Sequence, residues 1–347
     1  MNNSKNTDKK GISEIQKKRK NPLVATKLVN ALCNGDKTAL GQAITLIESN
    51  HTKHAAKANE VVSLCLKKQS KSIRIGVTGV PGVGKSTFIE TFGQLLTSQG
   101  NKVAVLTVDP TSSQSKGSIL GDKTRMETLA KDPNAFIRPS PSGLSLGGVT
   151  RKTRESIILC EAAGYSIILI ETVGVGQNET TVHGMVDFFL LLKLAGAGDE
   201  LQGIKRGIIE MADSIVINKA DGNNIANAKI AKNEFENSLK LYPPKENGWR
   251  PKVLYCSATE NTGVEEVWST IAEYIKEAKE TGFFEDRRKQ QNKNWLYDAI
   301  EQRLKSDFYT NTQVRSEIDE FLKQIATKEI SPFLAADKLI AVFKSRS

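Results

Sequence analysis

The sequence predicts an α/β fold of the P-loop NTPase type, a mostly parallel sheet covered by helices, with a helical arm before it and a helical region after it. Three observations carry this. Apolar strand-like runs alternate with helical patterns between about residues 70 and 280, the order expected of βαβ units. The first strand runs straight into a complete G-x-x-x-x-G-K-[ST] motif. Later strands end in acidic or Asn-Lys-x-Asp loops, and open parallel sheets place ligands at the C-terminal ends of their strands.

Residues 1–20 are polar, with Lys5, Lys9, Lys10, Lys17, Lys18, Arg19 and Lys20, and are expected to form a disordered, solvated tail. Lys outnumbers Arg, and Asp8 and Glu14 interrupt the basic run, which counts against a transit peptide. Residues 21–69 show helical periodicity in Leu40, Ile44, Leu46 and Ile47, then in Val61, Val62, Leu64 and Leu66. The nucleotide domain is expected over 70–281, closing with the helix after Gly263. From 282 to 347 the pattern is helical, with one stripe of Trp295, Leu296, Ile300 and Leu304, a second of Val314, Ile318, Phe321 and Ile325, and a third of Phe333, Leu334, Leu339 and Val342.

Within the central domain, Ile73–Thr78 reads as a strand and Phe88–Gln99 as a helix with Phe88, Ile89, Phe92, Leu95 and Leu96 on one side. Between them lie Gly79, Val80, Pro81, Gly82, Val83, Gly84, Lys85, Ser86 and Thr87. Glycines let backbone N–H groups close around phosphate oxygens, and the helix N-terminus adds partial positive charge. Lys85 is expected to reach the β- and γ-phosphates, and the Ser86 hydroxyl to ligate Mg²⁺.

A P-loop does not choose the base. The run Ser214–Ile217 is followed by Asn218, Lys219, Ala220 and Asp221, an N-K-x-D arrangement of the kind guanine-binding P-loop proteins carry. The Asp221 carboxylate can accept from guanine N1–H and the 2-amino group, a donor pair adenine lacks. Asn218 would brace neighbouring loops, and the Lys219 stem would lie along the base. A further strand, Val253–Cys256, leads into Ser257, Ala258 and Thr259, matching the S-A-x loop that backs guanine in GTPases. Helix capping is the other use of Asn218 and Asp221.

Two apolar strands end in acid: Val103–Val108 at Asp109, and Ser166–Ile170 at Glu171. Mg²⁺ takes few carboxylates together with water and phosphate oxygens. The pattern Glu171-x-x-Gly174 would let the Gly174 amide meet a γ-phosphate. Asp122 and Arg125, between the strands, are candidates for metal and phosphate contacts, although Asp122 also suits a turn. After the strand Asp187–Leu192, the Gly-rich run 194–207 sets paired acids beside paired bases. Such a run suits a mobile loop, and Gly203 and Gly207 would each weaken a helix by about 1 kcal/mol.

Together the stretches GVTGVPGVGKST, VDPTSSQSKGSILGDKTRM, ETVGVGQNE, DFFLLLKLAGAGDELQGIKRGIIEMAD and NKAD resemble the methylmalonyl-CoA mutase-associated GTPases, the MeaB group, also called ArgK in bacteria. The resemblance implies a homodimeric GTPase of the class that includes signal-recognition and nickel-insertion GTPases. It implies a chaperone of an adenosylcobalamin-dependent acyl-CoA mutase, gating cofactor delivery and protecting the enzyme, with GTP/GDP and Mg²⁺ as its cofactors. It implies that Asp109, Asp122 and Glu171 surround the metal. It assigns Asp199, Gln202 and Lys205 to a third switch loop that communicates with the mutase, with Lys205 meeting transition-state charge as Arg or Lys clamps do. In this family the C-terminal region contributes to dimerisation. The sequence departs from the pattern at His183 and Gly184, where small helix formers are expected. Gln177 lies three residues past Gly174 and is not assigned as a water-positioning group, so slow intrinsic turnover is expected.

Composition sets outer bounds. Hydrophobic residues make up 39% and charged residues 25% of the 347 positions, as in globular proteins. No apolar run approaches the roughly 18–20 residues that span a bilayer, and no secretory h-region is seen, so a cytoplasmic, membrane-free protein is expected. Much of the net charge of +10 sits in the tail, and no base-reading motif accompanies it, so nucleic acid is not an expected partner. Cys33, Cys65, Cys160 and Cys256 are far apart, suiting free thiols in a reducing compartment. His51 and His54, in a predicted helix, would need further ligands to hold a metal. A metal-insertion GTPase would want a Cys/His ligand set, which is missing. A transport-associated ATPase or kinase of the ArgK type would want H-R-D and D-F-G patterns, also missing. A nucleotide-regulated scaffold with negligible turnover stays open.

Overall fold

A computed structural model describes residues 24–49, 51–68, 71–108, 126–139, 146–172, 179–196 and 206–345. The chain divides into two compact units, one ending at Glu285 and one beginning at Asp286.

In the first unit, seven parallel strands among the described residues form one sheet: β1 (Ile73–Thr78), β2 (Val103–Val108), β3 (Ala135–Arg138), β4 (Ile167–Thr172), β5 (Phe188–Leu194), β6 (Ser214–Asn218) and β7 (Lys252–Tyr255). Their order is β3-β2-β4-β1-β5-β6-β7. The expected "mostly parallel" sheet is wholly parallel over these residues. Strands β2, β4 and β6 are buried along their whole length, which explains their unbroken apolar runs. The short β3 is not among the strands expected from sequence. Its four residues alternate between buried and half-buried, too brief a pattern to read alone.

On one face, the P-loop helix α4 (Lys85–Ser98) and helix α10 (Val264–Glu280) cover the sheet. Phe88, Phe92, Phe188, Trp249 and Tyr274 form the aromatic centre of that layer. Helices α8 (Arg206–Met211) and α9 (Ile225–Leu239) belong to a second cluster, in which Phe235 and Ile209 pack with Leu191, Ile215 and Ile217. Aspartates set the register at the N-terminal edge. Asp187 accepts the Arg74 N–H and Asp213 the Phe189 N–H, each at 2.8 Å. Asp187, expected to open a strand, is therefore a buried cap just before β5.

The arm is three helices, α1 (Ala25–Cys33), α2 (Lys37–Glu48) and α3 (Thr52–Leu66). Asp36 caps α2 through the Thr38 and Ala39 N–H groups. His51, expected inside a helix, sits instead at the N-cap of α3, accepting from Lys53 N–H. Helices α2 and α3 pack on α6 (Leu146–Ala162). Glu48 pairs with Arg138 of β3, and the Lys37 ammonium donates to Asp132 O at 2.8 Å. The second unit holds most of α11 (Phe283–Thr310), then α12 (Thr312–Ala326) and α13 (Pro332–Lys344). Asn311 and Ser331 cap the last two, and Phe308 meets Phe343 edge to face. Among the described residues, no helix is long and apolar enough to cross a membrane.

The loop from β7 into α10 turns at Gly263, at φ +72°, where an added Cβ would lie 2.4 Å from the Tyr255 carbonyl oxygen. Backbone strain and overlap with an immovable carbonyl both penalise a side chain there. Gly263→Ala is expected to lower stability by about 2–4 kcal/mol. Urea unfolding without nucleotide measures this, and an unchanged midpoint would contradict the packing described.

Candidate nucleotide site

The C-terminal ends of β1, β4 and β6 converge on one edge of the sheet. From β1 the chain enters the P-loop and then α4, whose N-cap Gly84 has φ +92°. A Cβ at Gly84 would stand 2.7 Å from the Asn218 amide nitrogen, so only glycine lets the P-loop and the end of β6 approach this closely.

Lys85 is buried, and its ammonium donates to the carbonyls of Gly79 (2.7 Å) and Val80 (3.1 Å). An ammonium has three donors, so one remains for a phosphate oxygen cradled by the loop. Burial pushes the Lys85 pKa below its ordinary 10.5, while the negative charges of Glu171 and Glu179 oppose that shift. Beside it, Ser86 Oγ donates to Glu171 Oε1 at 3.1 Å. Glu171 lies one residue before the end of β4, in register with Val77 of β1 and Thr107 of β2. A hydroxyl from the P-loop helix and a carboxylate from β4 this close together fit a hard cation that prefers oxygen ligands. Thr78 and Thr172 join the strand ends below through their hydroxyls at 2.8 Å.

The other half of the site is a cleft of about 200 Å³ lined by Gly84, Thr87, Asn218, Lys219, Asp221, Ala258 and Thr259. Asn218 ties two loops together. Its amide donates to Val83 O at 2.8 Å and its carbonyl oxygen accepts from Cys256 Sγ at 3.5 Å. Lys219 turns through φ +59°, uncommon for a residue with a side chain, and its carbonyl is held by the Asn224 amide at 2.7 Å. Asp221 Oδ2 accepts from Ser257 Oγ (2.6 Å) and Thr259 Oγ1 (3.2 Å). The carboxylate is thus oriented by hydroxyls, and Oδ1 makes no hydrogen bond among the described residues. Thr91 of α4 donates to Ala258 O at 2.7 Å, tying the loop back to the P-loop helix. Cys256 is not among the site residues expected from sequence. Burial pushes its thiol up to about 12, so it stays a neutral donor. Its position directly before Ser257 is the one local signal of this role.

Asp109, Asp122, Gly174, Asp199, Gln202 and Lys205 lie outside the described residues. The described residues therefore bring Lys85, Ser86 and Glu171 together beside the P-loop, and Asn218, Lys219, Asp221, Ser257, Ala258 and Thr259 together around the neighbouring cleft. Among known proteins, the family model described as methylmalonyl-CoA mutase-associated GTPase MeaB matches residues 40–313. The chain belongs to the MeaB family. It is 46% identical over 330 residues to the mitochondrial methylmalonic aciduria type A homolog of Mus musculus, covering 92% of this chain and 80% of that one. It is 44% identical over 304 residues to the GTPase ArgK of Escherichia coli, covering 88% and 92%. A crystal structure of an LAO/AO transport system kinase aligns with TM-score 0.73 and 37% identity, over 93% of this chain and 99% of that one. As a MeaB-family member the protein is a GTPase with a P-loop α/β fold that binds and hydrolyses GTP.

The base-side geometry makes Asp221→Asn informative. The variant is expected to lose at least about tenfold in GTP affinity, through two mispaired hydrogen bonds, and to gain affinity for xanthine nucleotides. Competition binding measures both, and unchanged GTP affinity would exclude Asp221 as the base contact. On the phosphate side, the test is the pH dependence that Lys85 imposes. A group whose folded pKa is depressed below its unfolded value binds more protons when unfolded, so stability rises with pH across that interval. Without nucleotide, wild type is expected to gain stability relative to Lys85→Met as pH climbs from neutral towards 10.5. Paired urea titrations read the difference, and a constant gap would show that Lys85 is not held in its buried position.

Proposed function

We propose that the protein is a Mg²⁺-dependent GTPase that acts as a chaperone of an adenosylcobalamin-dependent acyl-CoA mutase of the methylmalonyl-CoA type, gating cofactor loading and protecting the mutase. The observation that carries this is the match of residues 40–313 to a family described by its association with methylmalonyl-CoA mutase. The name of the mouse relative, methylmalonic aciduria type A homolog, supports the same client.

In the proposed reaction, water attacks the γ-phosphorus, the bond to the β–γ bridging oxygen breaks, and GDP and inorganic phosphate leave. The P-loop amides and Lys85 hold the β- and γ-phosphates. Ser86 and Glu171, together with Asp109 and Asp122, would hold Mg²⁺, which neutralises charge on the phosphate oxygens when bound. The Gly174 amide would meet the γ-phosphate. Asp199, Gln202 and Lys205 would form the third switch loop, with Lys205 stabilising negative charge that develops on the transferred group. Intrinsic turnover would be slow, since Gln177 lies three residues past Gly174 and is not assigned as a water-positioning group, and the partner would complete the third switch.

The protein would act as a cytoplasmic homodimer through its C-terminal helices. Leu296, Ile300 and Leu304 recur every fourth residue of α11 and are 59%, 45% and 58% exposed, an apolar stripe of the kind that marks an association surface. The domain limits proposed are 1–20, 21–69, 70–281 and 282–347. The similarity to an LAO/AO transport system kinase supports a second reading, phosphoryl transfer to a protein, which predicts a phosphorylated acceptor instead of free phosphate.

GTP turnover by the purified protein, with and without methylmalonyl-CoA mutase from the same organism, tests the proposal. Stimulation of at least about tenfold, lost in Lys205→Ala, is expected if the third switch completes the site. Absence of stimulation with intact GTP binding would remove this mutase as the client.

A further inference from the structure

The sheet ends at β7, and a groove of about 460 Å³ runs along that end. Lys232, Glu236 and Lys240, on one face of α9 and its C-cap, line its wall, and Arg250 and Lys252 line it from the segment entering β7. Its floor is apolar, with Leu239, Tyr242 and Val253. The nucleotide cleft shares none of these residues.

Two of the cations are already compensated. Lys232 pairs with Glu236 at 3.5 Å, and Lys252 with Glu273 at 2.6 Å. Lys240 and Arg250 have no carboxylate partner among the described residues. Lys240 makes only a neutral bond, to the Asn237 side chain at 3.0 Å.

The strand itself has an open side. Cys256 donates its N–H to Ile217 O, so the parallel ladder directs Leu254 and Cys256 towards β6 and turns the N–H and C=O of Val253 and the N–H of Tyr255 outward, while the Tyr255 carbonyl lies against Gly263. Among the described residues no strand pairs there. Next to the lining residues Lys240 and Tyr242, Leu241 is 87% exposed.

We propose that this groove docks an extended acidic segment of a protein partner, which adds to the outer edge of β7 as a further strand. Outward N–H and C=O groups give such a segment its backbone ladder, and alternate side chains reach the apolar floor. Lys240 and Arg250 select for carboxylates. A second copy of this chain is a poor occupant, because edge-to-edge pairing would set the same cations against one another. A small anion would use the two charges and leave the strand edge and the apolar floor uncovered.

The test uses the full-length protein and a short fluorescein-labelled peptide of alternating Glu and Val, followed by fluorescence anisotropy. Two control peptides carry Lys instead of Glu, or N-methyl groups on alternate backbone amides. The acidic peptide is expected to bind, and both controls to bind at least about tenfold more weakly. The doubly substituted Lys240→Glu, Arg250→Glu protein is expected to lose a similar factor while keeping its GTP affinity, which shows that the variant is folded. Failure of the acidic peptide to bind wild type overturns the proposal. So does equal binding of the N-methylated peptide, which would mark a polyanion site, open to nucleic acid, with no strand addition.

Discussion

The Asn218 side chain is the constraint on which the site depends. It is 2% exposed and stands where three segments meet. Its N–H₂ holds the P-loop carbonyl of Val83, and its carbonyl oxygen takes the Cys256 thiol from the start of the base loop. Both ends of a buried amide are used, so the two halves of the site keep one separation. Losing such a partner leaves buried polar atoms unsatisfied, at about 1–3 kcal/mol each. The same residue explains Gly84, since any side chain there would displace the amide.

Behind this tie stands the sheet. Parallel strands buried on both faces are stiff and can aim their C-terminal ends at one locus. The opposite edge is fastened as well: Asp187 and Asp213 each accept a neighbouring strand's N–H and donate their own N–H back to that strand, at Arg74 O and Phe189 O. Register set at one edge is carried along the strands to the other. There Glu171 arrives level with Val77 of β1, close to Ser86. A slip of one residue would turn Glu171 to the other face of the sheet.

Much of this is legible in the sequence because the signals are local. The P-loop, the apolar strands and the Asn-Lys-x-Asp turn are each defined by neighbours in the chain. What escapes a sequence reading needs partners far away. The four residues of β3 gain their identity from pairing with β2 and from Arg138 meeting Glu48 of the arm. Asp187 resembles the first residue of a strand because nothing local reveals that its carboxylate serves Arg74 N–H, 113 positions earlier. The spacing from His54 puts His51 inside a helix, yet its ring caps the helix instead. Cys256 resembles one more apolar strand residue, and its bond to Asn218 spans 38 positions.

Lys85 shows how the fold prepares the site for an anion. Burial works against its charge, and the carboxylates of Glu171 and Glu179 offset that penalty only in part, since the net shift is downward. The two P-loop carbonyls satisfy donors without neutralising the charge. A phosphate held by the loop would supply the missing negative charge, in surroundings where it is screened less than in water. Free energy withheld from the nucleotide-free fold would thereby be returned as affinity. A better-compensated lysine, paired tightly to one of its carboxylates, would stabilise the protein and weaken its hold on the nucleotide. The lowered pKa of Lys85 and the reach towards phosphates expected of it would therefore be two consequences of one position, at the buried N-terminus of the P-loop helix.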